Sequence, residues 1–506
     1  MTKKYIKYLG RMCVLLLAMC LCVLPVRASD MPFTPFTYNE WGEPVEGASG
    51  YEPVRIVDGA TLGVGAWVSP IDIAVSTNGQ WLYILDAEQG HVDFCNADFK
   101  NAGSLSDFYV DGKQSPLNDP RGLFASNDQL YIADRGNARV IRCDTQGNIQ
   151  QQFLKPTNPL FPQDKEFVPI KVAADKNGQV YVLCEGIYLG MVMYSQTGEF
   201  LGFYGSNKVE VSLSLLLDRA IKEIVNEEAK DLMSKYTPVE YNNLCIDSED
   251  FVYTSVISND NTMMLQKLNA AGVNILQAKV KTSFQKGFGN LNPKYVNGVL
   301  NSTCFSDVAV DATGNIYGLD NTGNKIFVYD SDANLLFGFG GQGTHTGLFL
   351  YPTAIEVFGD KFLVLDNSLT NITVFEKTEF GRLVDTAMSY YNDGRYQEAM
   401  NPWQQVLKYN SNYTLAYIGI GKAQLESGDL ENAMHNFEIA HYASGFNDSY
   451  REYRVESLRK LFPLFFVIVL LLLFLIYGRS IPPVKRAFDR LKLRLKKRLP
   501  GRKEGA

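Results

Sequence analysis

A strand–turn–strand unit recurs six times along this 506-residue chain, and that recurrence constrains the fold more than any other feature. Pro70-Ile-Asp-Ile-Ala-Val75 leads through Gly79 to Trp81-Leu-Tyr-Ile-Leu-Asp86. Pro120-Arg-Gly-Leu-Phe-Ala125 leads to Gln129-Leu-Tyr-Ile-Ala-Asp134, and Pro169-Ile-Lys-Val-Ala-Ala174 to Val180-Tyr-Val-Leu183. Leu244-Cys-Ile-Asp247 precedes Phe251-Val-Tyr253, and Phe305-Ser-Asp-Val-Ala-Val-Asp311 precedes Ile316-Tyr-Gly-Leu-Asp320. Pro352-Thr-Ala-Ile-Glu-Val357 and Phe362-Leu-Val-Leu-Asp366 close the series, most units lying 46 to 50 residues apart. Apolar strands punctuated by Gly, Asn and Asp turns build four-stranded blades. Six of them predict a mainly β chain with a six-bladed propeller over residues 50–378. Pro53-Val-Arg-Ile-Val57 has no blade of its own, while the last unit ends at Phe375 with three strands. The early strand is therefore expected to complete blade six, which removes two open edges.

The linkers Gly65-Ala-Trp-Val-Ser-Pro70 and Gly347-Leu-Phe-Leu-Tyr-Pro352 match in spacing and kind. With the repeats above, they resemble the NHL-repeat propellers. That resemblance implies fold and leaves activity open. Six-bladed propellers of this kind include lactonases, strictosidine-synthase-like enzymes and a zinc lyase, with metals held in the central channel. His435 and His441 fall in the helical region, and His91 with His345 are too few for a three-His zinc site. A channel Ca2+ on Asp and Asn oxygens stays open; no other cofactor is expected.

Both ends of the chain are membrane-directed. Lys3, Lys4, Lys7 and Arg11 precede an apolar run from Met12 to Leu24, and Val26-Arg27-Ala28 fits a cleavage site, so residues 1–28 are expected to be a signal peptide. The alternative is an uncleaved anchor. Residues 461–477 hold no charge and form the expected transmembrane helix. The tail, 478–506, carries eleven Lys/Arg against Asp489 and Glu504 and is expected in the cytosol. Val484, Phe488, Leu491, Leu495 and Leu499 form a stripe in it, read either as a helix on the anionic inner leaflet or as a stop-transfer tail. The net charge of −7 then leaves −21 on residues 29–477, which argues against a nucleic-acid partner.

Between these ends, residues 29–49 read as linker. Within the propeller, residues 211–237 read as a helical insertion, either packed on the rim or binding a partner. Residues 379–460 change character: Gly394-Arg-Tyr-Gln-Glu-Ala399 recurs 34 residues later as Gly428-Asp-Leu-Glu-Asn-Ala433. That period matches tetratricopeptide (TPR) repeats, here two repeats and a capping helix, and so short an array is expected to dock on the propeller or on a partner. Together with the lysine-rich signal, the whole resembles bacterial membrane-anchored NHL propellers that carry C-terminal tetratricopeptide repeats.

Catalytic motifs are missing: the sequence has no Walker loop, His-Glu-x-x-His or Gly-x-Ser-x-Gly. Cys95, Cys143, Cys184, Cys245 and Cys304 are scattered, and Cys95 and Cys143 are expected to fill blade cores. Asp86, Asp134, Asp320 and Asp366 share one repeat position and are expected to bind their own turns. Asp72, Lys171, Asn243 and Asp307 begin their first strands near the channel mouth and, with Arg121 and Arg135, are the candidate ligand-binding residues. Two interaction modules on one anchor point to a non-enzymatic extracytoplasmic scaffold, or to an accessory subunit of a transporter or envelope complex. The alternatives are a metal-dependent lactonase or hydrolase, and a glycan or peptide sensor.

Overall fold

A computed structural model describes residues 31–205, 240–477 and 482–498, apart from positions 40, 259, 294, 297–298 and 301. The signal (1–28), the insertion (211–237) and tail residues 478–481 and 499–506 lie outside the described residues. The chain divides into two compact units, residues 1–416 and 417–506.

The first unit is a six-bladed β-propeller. Each first strand starts at Pro70, Pro120, Pro169, Tyr241, Phe305 or Pro352 and runs antiparallel to the second. Every one carries a register shift just after that residue. A bulge of this kind twists a strand and re-aims the next side chain. Apolar layers fill the spaces between neighbouring blades: Leu85 and Val92 of blade one pack with Ile132 and Ile141 of blade two. Cys95 and Cys143 are buried in such layers, as expected, and all five described cysteines are free.

Ring closure follows the sequence reading. Tyr51–Val57 pairs antiparallel with Asn371–Lys377 and completes blade six. Two blades depart from the four-strand expectation. Blade four has three strands, ending at Leu265–Leu268, and a short helix, α2, covers its outer side. Here α1 is Gly59–Leu62 and α2 is Leu276–Thr282, whose Leu276 and Val280 pack with Leu265. Blade five gains Phe36–Tyr38 and Pro44–Glu46 at its rim, so the stretch read as linker carries a hairpin. Gly338 makes room for it: a Cβ there would sit 2.2 Å from the Phe36 ring.

Helices α3 (Glu379–Asn392) and α4 (Tyr396–Tyr409) follow directly and dock on the propeller. Thr378 caps α3 by accepting from Gly381 N, and its own N–H donates to Gly50 O at 3.0 Å. Phe380 packs on Phe337 and Tyr413, and the Tyr413 hydroxyl donates to Leu336 O at 2.9 Å. Lys377 bridges Asp311 and Asp385 across the same junction. The first two helices of the region 379–460 are thus packed on the propeller within the first unit.

Helix α5 (Thr414–Ser427) crosses into the second unit, followed by α6 (Leu430–Ile439), α7 (Ala443–Tyr477) and α8 (Pro482–Arg498). Gly394 and Gly428, 34 residues apart, both adopt positive φ in the turns before α4 and α6. Ala399 and Ala433 are both fully buried, so the sequence repeat marks equivalent turn and packing positions. Residues 461–477 of α7 are exposed and apolar, with a mean hydropathy of 2.7 over the best 18-residue window, long enough to cross a bilayer. Pro463, inside α7, has no N–H to donate to the carbonyl four residues before it, so one rung of the helix ladder is missing there.

Candidate functional site

The first-strand bulge places one residue per blade around the central channel: Asp72, Gly122, Lys171, Asn243, Asp307 and Ala354 in blades one to six. Four of the six sequence candidates therefore share one ring. Each acidic member ties its blade to the next. Asp72 accepts from Ile73 N at 3.0 Å and from Leu123 N of blade two at 2.7 Å. Asp307 accepts from Val308 N at 2.9 Å and from Ile355 N of blade six at 2.7 Å. In both cases the following blade has a ring residue, Gly122 or Ala354, without a side-chain acceptor, so the preceding Asp caps the N–H beside it. Asn243 accepts from Leu244 N at 2.6 Å and donates to Ser306 O at 3.1 Å.

Lys171 completes the ring. Its Nζ lies 2.7 and 2.8 Å from the two Asp72 oxygens, reaching from blade three past Gly122. Gly122 permits the crossing, because a Cβ there would come 2.6 Å from Ile170 O and 2.7 Å from Lys171 Cα. Burial alone would depress the Lys171 ammonium, but Asp72 and Asp307 outweigh it and hold the group above its ordinary value. Burial pushes Asp307 up to about 7, with Lys171 opposing.

Two residues on the same strands escaped the sequence reading. Glu356 sits two positions beyond Ala354, and burial pushes it up to about 8; the Val357 N–H opposes that shift and Asp307 adds to it. Cys245 occupies the same position in blade four, its thiol raised by burial and by Glu356 and Asp307. Glu356 is the sole acid inside its first strand, but no other blade has an acid at that position, so repetition does not mark it. With Lys171 and Asp307, both line a cavity of about 960 Å³ that opens between the first hairpin turns, including Asn78, Asp128 and Asn177. Among the described residues no group of three or more His, Cys, Asp or Glu is placed to hold a metal. The channel acids spend oxygens on backbone N–H groups and on Lys171.

Arg121 and Arg135 stand apart from the ring. Both bind Asp119 at 2.8 Å, and Arg135 also reaches Glu185 at 3.1 Å, at the end of the channel where linkers join the first strands. The repeat aspartates organise that end. Asp86 accepts from Val68 N, Ser69 N, Glu88 N and Gln89 N, and Asp366 from Leu350 N, Tyr351 N and Leu369 N. They bind their own turns, as expected, and also the incoming linker. Above these pinned linkers, Val68 (48% exposed), Leu350 (41%) and Tyr351 (54%) face solvent on adjacent blades one and six. Asn367 joins the two, its N–H donating to Tyr351 O and its side chain to Pro70 O.

No family model matches the chain, and no curated protein matches it. Solved structures are similar to it over about two thirds of its length. A virginiamycin B lyase from Staphylococcus aureus is 10% identical, covering 65% of this chain and all of that one, with a TM-score of 0.39. A gluconolactonase-like protein is 13% identical over 66% of this chain and 94% of its own (TM-score 0.36). A protein of unknown function from Bacteroides thetaiotaomicron is 13% identical over 68% and 75% (TM-score 0.39). Likeness at this level carries no argument about activity.

Proposed function

We propose that this chain is a membrane-tethered recognition module: a propeller with a tetratricopeptide-like helical array, held outside the cytosol as a non-enzymatic scaffold or accessory subunit of a transporter or envelope complex. The observation that carries the reading is the division of labour along the channel. Its ring of charged side chains is occupied in fastening blade to blade, whereas the linker mouth presents Val68, Leu350 and Tyr351 on backbone that Asp86 and Asp366 hold fixed. An apolar patch on rigid backbone loses little entropy on binding, which favours a protein surface as its occupant. The exposed apolar end of α7 supports the tether, and the Lys/Arg-rich segment after it supports a cytosolic C-terminus. The occupant is a subunit of a membrane assembly, since the tether confines the propeller to that neighbourhood. The resemblance to bacterial NHL proteins belongs to the same reading.

A crosslinked pull-down of the full-length protein from its native membranes tests this. One stoichiometric membrane partner, lost in Leu350→Ser/Tyr351→Ser, supports the scaffold. Recovery of the protein alone counts against it.

The turn-side cavity favours a second reading. Glu356, with a pKa of about 8, keeps a protonated, hydrogen-bond-donating carboxyl at neutral pH beside Lys171 and Asp307. That suits a small polar ligand, in a sensor or a lactonase-type enzyme, with Ca2+ as the cation to try first. Glu356→Gln would then abolish saturable ligand binding and leave the pull-down unchanged.

A further inference from the structure

We infer that helix α8 is a lipid-binding element that lies along an anionic membrane surface beside the end of the span. Five observations converge on it. The backbone is helical over Pro482–Arg498, with paired prolines at its start, where a missing N–H costs nothing, and Lys496, Lys497 and Arg498 at its end, where the helix dipole favours cations. Helical spacing puts positions 484, 487, 488, 491 and 495 on one side, all apolar in sequence, while Lys485, Arg486, Arg490, Lys492, Lys496 and Lys497 fall elsewhere. Three residues depart from the pattern: Leu493 lies on the side opposite the stripe, Arg498 falls within the stripe in the last turn, and Arg494 lies at its edge. Leu491 is 57% exposed, so the helix presents apolar surface to solvent.

Charge and chain length choose the occupant. The segment carries eight Lys/Arg against one acid, Asp489. An apolar stripe flanked by cations is complementary to anionic headgroups over acyl chains, and a soluble partner would have to mimic both layers. The span ends at Tyr477 and α8 begins at Pro482, five residues on. Five residues reach at most about 17 Å, so the first turn of α8 is kept at or near headgroup depth. At that distance the bilayer is a permanent neighbour, and binding costs no further encounter entropy. The proposal does not depend on what the propeller recognises.

The test uses the full-length protein in proteoliposomes, with a nitroxide on Leu491→Cys or, separately, on Lys492→Cys. The native cysteines of the propeller are mostly buried and react poorly. Vesicles contain either phosphatidylcholine alone or phosphatidylcholine with phosphatidylglycerol. In anionic vesicles, position 491 is expected to be accessible to oxygen and shielded from an aqueous nickel complex, with position 492 showing the opposite. Lys496→Glu/Lys497→Glu, or phosphatidylcholine alone, is expected to weaken that contrast about tenfold. Equal aqueous accessibility of 491 and 492 in anionic vesicles overturns the proposal. So does a contrast that is indifferent to lipid charge and to the two substitutions.

Discussion

The Lys171 ammonium lies within 2.8 Å of both carboxylate oxygens of Asp72, although the two belong to blades one and three, and the blade between them has glycine at the equivalent position. The side chain that Gly122 lacks is the space through which the pair forms. Ring charge, ring gap and interblade hydrogen bonds are thus one device.

Removing one partner of that pair is expected to cost more than removing both. Asp72→Ala strands Lys171 and leaves Ile73 N and Leu123 N uncapped; loss of about 3–5 kcal/mol is expected. Lys171→Met in the same Asp72→Ala background should recover part of it. Urea unfolding followed by tryptophan fluorescence measures the cycle, and additive effects of the two changes would refute the coupling.

Gly122→Ala is expected to destabilise the propeller by about 1–3 kcal/mol, because the added methyl meets backbone atoms of blade three that cannot rotate away. Gly359→Ala is a useful contrast: a Cβ there meets nothing within 4 Å, and its cost comes from positive φ alone. A thermal melt in which Gly122→Ala equals wild type would contradict the close approach.

The pH dependence has a definite sign. In the unfolded chain Glu356 and Asp307 titrate near about 4. Burial moves them in the fold to about 8 and about 7. Between those limits the native state keeps protons that the unfolded state has released, so their contribution is full below pH 4 and is lost as pH rises to about 8. Glu356→Gln should therefore stabilise the protein relative to wild type by about 2 kcal/mol or more at pH 9 and little at pH 4. Urea midpoints of both proteins across that range measure the difference. A constant difference would contradict the assignment.

Lys377→Met is expected to loosen α3 without unfolding the propeller. Lys377 sits between Asp385 on α3 and Asp311 on blade five, and its removal leaves two half-buried carboxylates facing each other. Faster amide exchange over residues 380–392, with blade amides unchanged, is the expected pattern.

The ring was legible in part because repetition makes position meaningful. Asp72, Lys171, Asn243 and Asp307 occupy one place in their units, and comparing units brings them together without a structure. What the comparison missed was not repeated. Glu356 has Ala74, Phe124, Ala173 and Ala309 at its equivalents, so no pattern marked it. The hairpin at residues 36–46 pairs with a strand some 300 residues away, a contact that local pattern does not encode. Helix α2 replaces a fourth strand because Leu276–Thr282 is rich in helix formers, a modest propensity that the expectation of regular blades overrode. Arg121 lies one position before the ring residue of its blade and Arg135 just after the second strand, so both sit at the linker mouth on Asp119.

Photocrosslinking from the linker mouth tests the central claim most directly. A photoreactive residue at Tyr351 and another at Asn177, on the opposite mouth, would be compared in full-length protein in its native membrane. The account expects position 351 to capture a single membrane protein in near-stoichiometric yield and position 177 to capture little. Capture from 177 with none from 351 would place recognition at the turn-side cavity and contradict the scaffold reading.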